Sequence, residues 1–219
     1  MADMAAQPID PSTLRSFLGD EAESNLRTYF DSGTFTGGRF ERFAGGGDRP
    51  EVANLIDSDD IVAVALLGVR IPGRPALSIL ENQRAEISSL LEDVPVGVDL
   101  WDAEEEAVMS GSAADRLWQL LVDLPGINWV TAGKLLARKR PQLIPVYDSV
   151  VKAALNRPGS DEWWSPLRAA LIADPSVVAR LEGLRAAVGL DGISLIRILD
   201  VAIWMQEYGQ PEPVPDAEE

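Results

Sequence analysis

Cysteine and histidine are both absent from the sequence. The chain therefore has no disulfide bond, no thiolate zinc site, no iron–sulfur cluster and no catalytic triad built on an imidazole. Acid–base chemistry would have to come from carboxylates, lysine, tyrosine or backbone groups. No metal site and no cofactor is predicted, and the absence of cysteine is typical of a cytoplasmic protein.

Long hydrophobic runs are also missing. The longest, residues 61–69, ends at Arg70 and is too short to cross a bilayer. Residues 1–11 lack the basic and apolar segments of a signal peptide. We therefore expect a soluble cytoplasmic protein without membrane contact.

Positive charge is scarce. Nineteen Lys and Arg stand against 35 Asp and Glu, which gives a formal charge of −16. Such a protein is repelled by nucleic acid at long range. Residues 85–115 contain no Lys or Arg at all. This acidic stretch is typical of a solvated connection between two helical halves, and the alternative is a surface that meets a basic protein partner.

The pattern of apolar residues predicts a mainly α fold, because strand signals are sparse throughout. We divide the chain into a disordered N-terminus (1–11), an N-terminal helical region (12–106), a second helical region (107–208) and a disordered acidic tail (209–219). In the first region, helices are predicted over 13–31, 61–67 and 72–91, and the glycine-rich residues 33–48 are predicted to be loop, with a short hairpin as an alternative. The second region is predicted to contain helices over 112–123, 129–139, 149–155, 161–172, 176–188 and 194–208.

A short turn separates two of these helices, at residues 124–128. Pro125 ends the first helix, Gly126 permits a positive φ, and Asn128 can cap the second. Free backbone N–H groups at the positive end of a helix suit a phosphate oxygen. The turn is therefore predicted to contact a phosphate backbone.

Cations cluster directly after this turn, between residues 134 and 157, where Asp148 is the single acidic residue. We interpret the cluster as a phosphate-binding surface, with the alternative that cations at the end of a helix complement its dipole. Its members are Lys134, Arg138, Lys139, Arg140, Lys152 and Arg157.

Asp148 follows an apolar connector, residues 143–146, and precedes a helix. At that position an aspartate caps the helix N-terminus, which contributes about 1 kcal/mol and requires no further function.

These segments together resemble the helix-hairpin-helix and glycine/proline/aspartate motif of the DNA glycosylase superfamily. The matching text is Leu-Pro-Gly-Ile-x-x-x-Thr-Ala at 124–132, a basic helix, and Ile-Pro-Val-x-Asp at 144–148. The likeness extends from residue 114 to residue 205. It implies a helical bundle with a glycosylase-like C-terminal half, and the whole chain also resembles an uncharacterised bacterial family.

The resemblance implies roles for particular residues. Asp148 would be catalytic, stabilising positive charge on the sugar of a flipped nucleotide or orienting water. The lysine of strand-cleaving relatives is replaced by Val130, so the activity would lack a β-lyase step. DNA contacts would come from Gly126, Asn128, Thr131, Lys134, Arg138 and Lys139. Stacking on the flipped base would come from Trp129, Trp163 or Trp164, although a tryptophan at helical spacing is more often part of a core.

Two functions are compatible with these observations. The first is a monofunctional DNA glycosylase that binds duplex DNA through the hairpin. The second is a non-catalytic protein of the same fold that binds a protein or a nucleotide-like ligand. The ordered motif favours the first. The acidity favours the second, as does Asn128, which stands where the hairpin of the family has its second glycine.

Overall fold

A computed structural model describes residues 8–31, 33–157 and 164–208 of the chain. These residues are mainly helical and contain no β-strand. No helix among them is both long and apolar enough to cross a membrane. The helices are α1 Pro11–Ser16, α2 Ala22–Asp31, α3 Ser58–Ala65, α4 Gly73–Leu77, α5 Arg84–Glu92, α6 Ala113–Val122, α7 Trp129–Lys139, α8 Ser149–Ala154, α9 Trp164–Ala173, α10 Pro175–Val188 and α11 Leu195–Tyr208.

The first predicted helix is in fact two. Asp10 caps α1 by accepting a hydrogen bond from the N–H of Ser12, and Pro11 occupies the first helical position. The chain then turns between α1 and α2, where Gly19 interrupts the helix. The prediction that residues 1–11 are disordered is wrong for residues 8–11, since Ile9 is buried and Asp10 is the cap. Residues 1–7 and the predicted tail, 209–219, lie outside the described residues.

The predicted helix over 72–91 is also interrupted. Between α4 and α5 the backbone forms a π-helical turn, Ser78–Asn82, which buries Ile79. The glycine-rich residues form two short 3-10 helices, Thr36–Arg39 and Phe43–Gly45, where a loop or a short hairpin was predicted.

In the second half the predicted helices are present with boundaries close to those expected. Helix α7 spans the predicted 129–139, and Ser112 and Ser194 cap α6 and α11 as their sequence positions suggest. Helix α9 is described from Trp164 onward. Side-chain oxygens at these caps satisfy N–H groups that the first helical turn leaves without a partner.

The two halves share one hydrophobic core. Helix α11 packs against α2, α10 and α8, while α3 packs against α7. The acidic stretch 85–115 contributes to that core through Ile87, Leu91 and Leu100. It is therefore more than a solvated connection, and the boundary predicted at residue 106 does not separate two cores.

Candidate functional site

The cations at the end of α7 point into the protein. Arg138 is 1% exposed and Lys139 is fully buried, and both bind the carboxylate of Asp60 in α3, at 3.0 and 2.9 Å. The prediction that Arg138 and Lys139 contact DNA is wrong, because neither side chain reaches the surface. They join α7 to α3 instead.

The glycine-rich segment supplies further partners for Arg138. Its guanidinium donates hydrogen bonds to the carbonyls of Phe40, Glu41 and Phe43. Gly47 lies so close to Arg138 that an added Cβ would sit 2.4 Å from the arginine carbonyl oxygen. The glycines of this segment therefore allow the backbone to close around a buried cation.

Arg140 is buried without a carboxylate partner among the described residues. Its guanidinium donates to the carbonyls of Ala53, Leu91 and Val94. Burial lowers the pKa of Arg140 to about 10. This side chain holds the segments before α3 and after α5 against the end of α7.

The turn before α7 has the predicted geometry. Gly126 has a φ of +93°, and Asn128 caps α7 by accepting a hydrogen bond from the Thr131 N–H at 2.9 Å. Gly126 and Asn128 are exposed, whereas Thr131 is buried and its N–H is already bonded to the cap. Of these three residues, Gly126 and Asn128 therefore lie at the protein surface.

A cavity of about 260 Å³ lies where the two halves meet. Helix α2, the chain after α3, helix α7, helix α8 and helix α11 all contribute to its walls. Its lining combines aromatic rings with four charged side chains. These four are Lys134, Asp148, Arg197 and Asp200.

Asp148 both caps α8 and lines this cavity. Its Oδ1 accepts hydrogen bonds from the N–H groups of Val150 and Val151 at 3.0 and 3.1 Å. Its Oδ2 lies 3.8 Å from the Lys134 Nζ, and 19% of the side chain is exposed. The predicted cap is confirmed, and the second oxygen is left to face the cavity and the lysine.

Lys134 lies on α7, one helical turn after Val130. Its Nζ donates to the carbonyl of Leu67 at 3.0 Å, and its side chain is buried at the cavity wall. Burial lowers the pKa of Lys134, and the nearby carboxylate of Asp148 partly offsets that shift. Its ammonium lies in the cavity, away from the protein surface where DNA contact was predicted.

Arg197 and Asp200 form a second ion pair on α11. The Arg197 Nη1 binds both oxygens of Asp200 at 2.9 and 2.8 Å, and its Nη2 donates to the Tyr29 hydroxyl at 2.7 Å. Burial disfavours the charge on Arg197, but the carboxylate of Asp200 outweighs burial and raises the pKa of the guanidinium. The Nε of Arg197 is buried and has no hydrogen-bond partner among the described residues.

Aromatic rings form one side of the cavity. Tyr29 and Phe35 stack at 5.2 Å, and Trp204 meets both rings edge-on at 6.0 and 5.6 Å. Tyr29 fits there because Gly37 has no side chain, since an added Cβ would lie 2.1 Å from the tyrosine hydroxyl oxygen. Sequence reasoning missed all three rings.

The tryptophans predicted to stack on a base lie elsewhere. Trp129 packs against Tyr147, with the Lys152 ammonium 5.6 Å from its ring centre. Trp164 is half-buried against the core, and neither it nor Trp129 lines the cavity, so neither is placed to stack on a base held there. Trp163 lies outside the described residues.

The fold is a helical bundle in which the helix that follows a hairpin turn forms one wall of a cavity lined by polar and aromatic side chains. The chain belongs to a family of unknown function, DUF6308, whose sequence model matches residues 22–207. That match includes every residue that lines the cavity. No curated protein and no solved structure matches the chain, and the resemblance to DNA glycosylases stays a prediction. The described residues contain no cluster of three or more carboxylates that could hold a metal ion.

Proposed function

We propose that the cavity binds a nucleobase with its sugar beside Asp148, and that the protein hydrolyses the N-glycosidic bond between them. One observation carries the proposal. The Asp148 carboxylate has one oxygen fixed by the start of α8, while the other faces a cavity with an aromatic side. Its orientation is thus set before a ligand arrives.

The chemistry requires a negative group next to the sugar. Water adds to C1′ of the sugar, and the bonding electrons leave with the base nitrogen, which takes up a proton. Positive charge develops on the sugar before water has added, and a fixed carboxylate stabilises that charge. The products are the free base and a sugar with a hydroxyl at C1′.

The remaining walls suit the base. The rings of Phe35 and Trp204 offer apolar surface to a planar heterocycle, and such stacking is how proteins hold a nucleobase outside a helix. Lys134 stabilises the negative charge of Asp148 from 3.8 Å. With valine at position 130, the proposed activity ends at base release and includes no strand cleavage.

Base release from purified protein tests the proposal. Nucleosides and duplex DNA carrying damaged bases are incubated with wild type and with Asp148→Asn, and free base is measured by chromatography. Asparagine keeps the helix cap but removes the negative charge. We expect release by wild type and at least about a hundredfold less by the variant, as for removal of one electrostatic stabiliser of a transition state.

The matched control is Asp123→Asn, an exposed aspartate at the end of α6, which should release base at the wild-type rate. Equal release by wild type and Asp148→Asn contradicts the catalytic role. Binding of a nucleoside without any release by wild type would favour the second function, a ligand-binding protein without catalysis.

A further inference from the structure

We infer that the ligand of this cavity is an uncharged nucleoside, and that nucleotides and DNA are poor ligands. The inference rests on the proposed function, since it names the substrate class of the same site. Two properties of the described residues support it: the balance of charge in the cavity, and the location of the other cations at the end of α7.

The charges that line the cavity cancel in pairs. Lys134 lies against Asp148, and Arg197 binds both oxygens of Asp200. Lys134 and Arg197 are the two cations in the lining, so no cation there lacks a carboxylate. A phosphate that entered would lose its hydration without gaining an unpaired positive partner, which disfavours a charged ligand.

The cations that could have held phosphate next to the cavity are used elsewhere. Arg138 and Lys139 bind Asp60, and Arg140 binds backbone carbonyls, all inside the protein. The whole chain carries a formal charge of −16, which repels a polyanion as it approaches.

A neutral heterocycle meets partners of the right kind. The Asp148 Oδ2 can accept from a sugar hydroxyl, and the aromatic rings can cover a planar face.

Quenching of tryptophan fluorescence measures the preference directly, because Trp204 lies in the cavity wall. Adenosine, guanosine, cytidine and uridine, their 2′-deoxy forms and all the corresponding 5′-monophosphates are titrated into wild type, along with a short single-stranded and a duplex DNA. Each Kd is determined in low and in moderate salt. We expect at least one nucleoside to bind about tenfold or more tightly than its monophosphate.

A charge variant makes the test sharper. Asp148→Asn leaves Lys134 without its carboxylate, so the cavity gains a net positive charge while the helix cap is kept. The ratio of monophosphate to nucleoside affinity should rise about tenfold or more in this variant. Asp191→Asn, which changes an exposed aspartate outside the lining, should leave the ratio unchanged.

The possible outcomes distinguish failure of the neutral-ligand inference from failure of the proposed function. Monophosphates or DNA that bind wild type as tightly as nucleosides would overturn the inference of a neutral ligand and leave the proposed function standing. If the ratio of monophosphate to nucleoside affinity is the same in Asp148→Asn as in wild type, the argument that Asp148 neutralises Lys134 in the cavity is overturned. Failure of every nucleoside, nucleotide and DNA to bind would overturn the proposed function itself.

Discussion

Replacing Asp60 with asparagine should strongly destabilise the protein. Its carboxylate is 2% exposed and binds Arg138 and Lys139, which are themselves buried. Removing one partner of a buried ion pair leaves a charge without compensation, which costs about 3–5 kcal/mol. For a domain of this size each kcal/mol lowers Tm by about 2–4 °C, so the loss corresponds to roughly 6–20 °C.

Urea and thermal unfolding followed by circular dichroism measure this change. Asp59→Asn, its neighbour in the first turn of α3, removes a charge that forms no ion pair with any residue the structure describes, and it should cost less than about 1 kcal/mol. Lys139→Met should cost less than Asp60→Asn, because it leaves Arg138 and Asp60 as a balanced pair. Equal losses in Lys139→Met and Asp60→Asn would refute the reasoning, as would a loss in Asp60→Asn no larger than in Asp59→Asn.

Three further changes test neighbouring features. Gly47→Ala should destabilise the protein, measured by urea unfolding, because its Cβ would meet the Arg138 carbonyl; Gly73→Ala, with open space around it, should not. Asp148→Ala should have a free energy of unfolding about 1 kcal/mol lower than that of Asp148→Asn, because both variants lose the ion pair with Lys134 and only alanine also loses the cap; equal values for the two variants would contradict that origin. Burial raises the pKa of Glu41 above its usual 4.5, so its ionisation costs stability as pH rises through that raised pKa. The free energy of unfolding of Glu41→Gln, measured with urea, should therefore increase relative to that of wild type between pH 4 and pH 7. A constant difference between the two proteins over that range would argue against the raised pKa.

Local signals allowed the second half of the fold to be predicted well. Caps such as Ser112, Asn128 and Asp148 act within three or four residues, so their effect can be read from the sequence alone. Asp10 caps α1 at a position before residue 13, where the first helix was predicted to begin, so the sequence pattern located that helix but not its first two residues. The π-helical turn at residues 78–82 has no comparable local signal, because its apolar spacing resembles that of a continuous helix.

The candidate site depended on contacts that local patterns do not encode. Whether Arg138 and Lys139 face solvent is decided by Asp60, which is nearly 80 residues away. Tyr29 and Trp204 come from opposite ends of the chain, and their meeting depends on α2 packing against α11. Asp148 was found because its motif is local. The aromatic rings around the cavity were missed because only the tertiary fold brings them together.

The burial of Arg138 and Lys139 also has a consequence for the order in which the chain can fold. Their partners lie between 78 and 98 positions earlier in the sequence, so these contacts close long loops. During synthesis the segment from Phe40 to Asp60 leaves the ribosome long before α7. Until α7 is available, the Asp60 carboxylate and the carbonyls of this segment are hydrogen-bonded to water. We therefore expect a late, cooperative folding step in which the early half becomes native only once α7 docks.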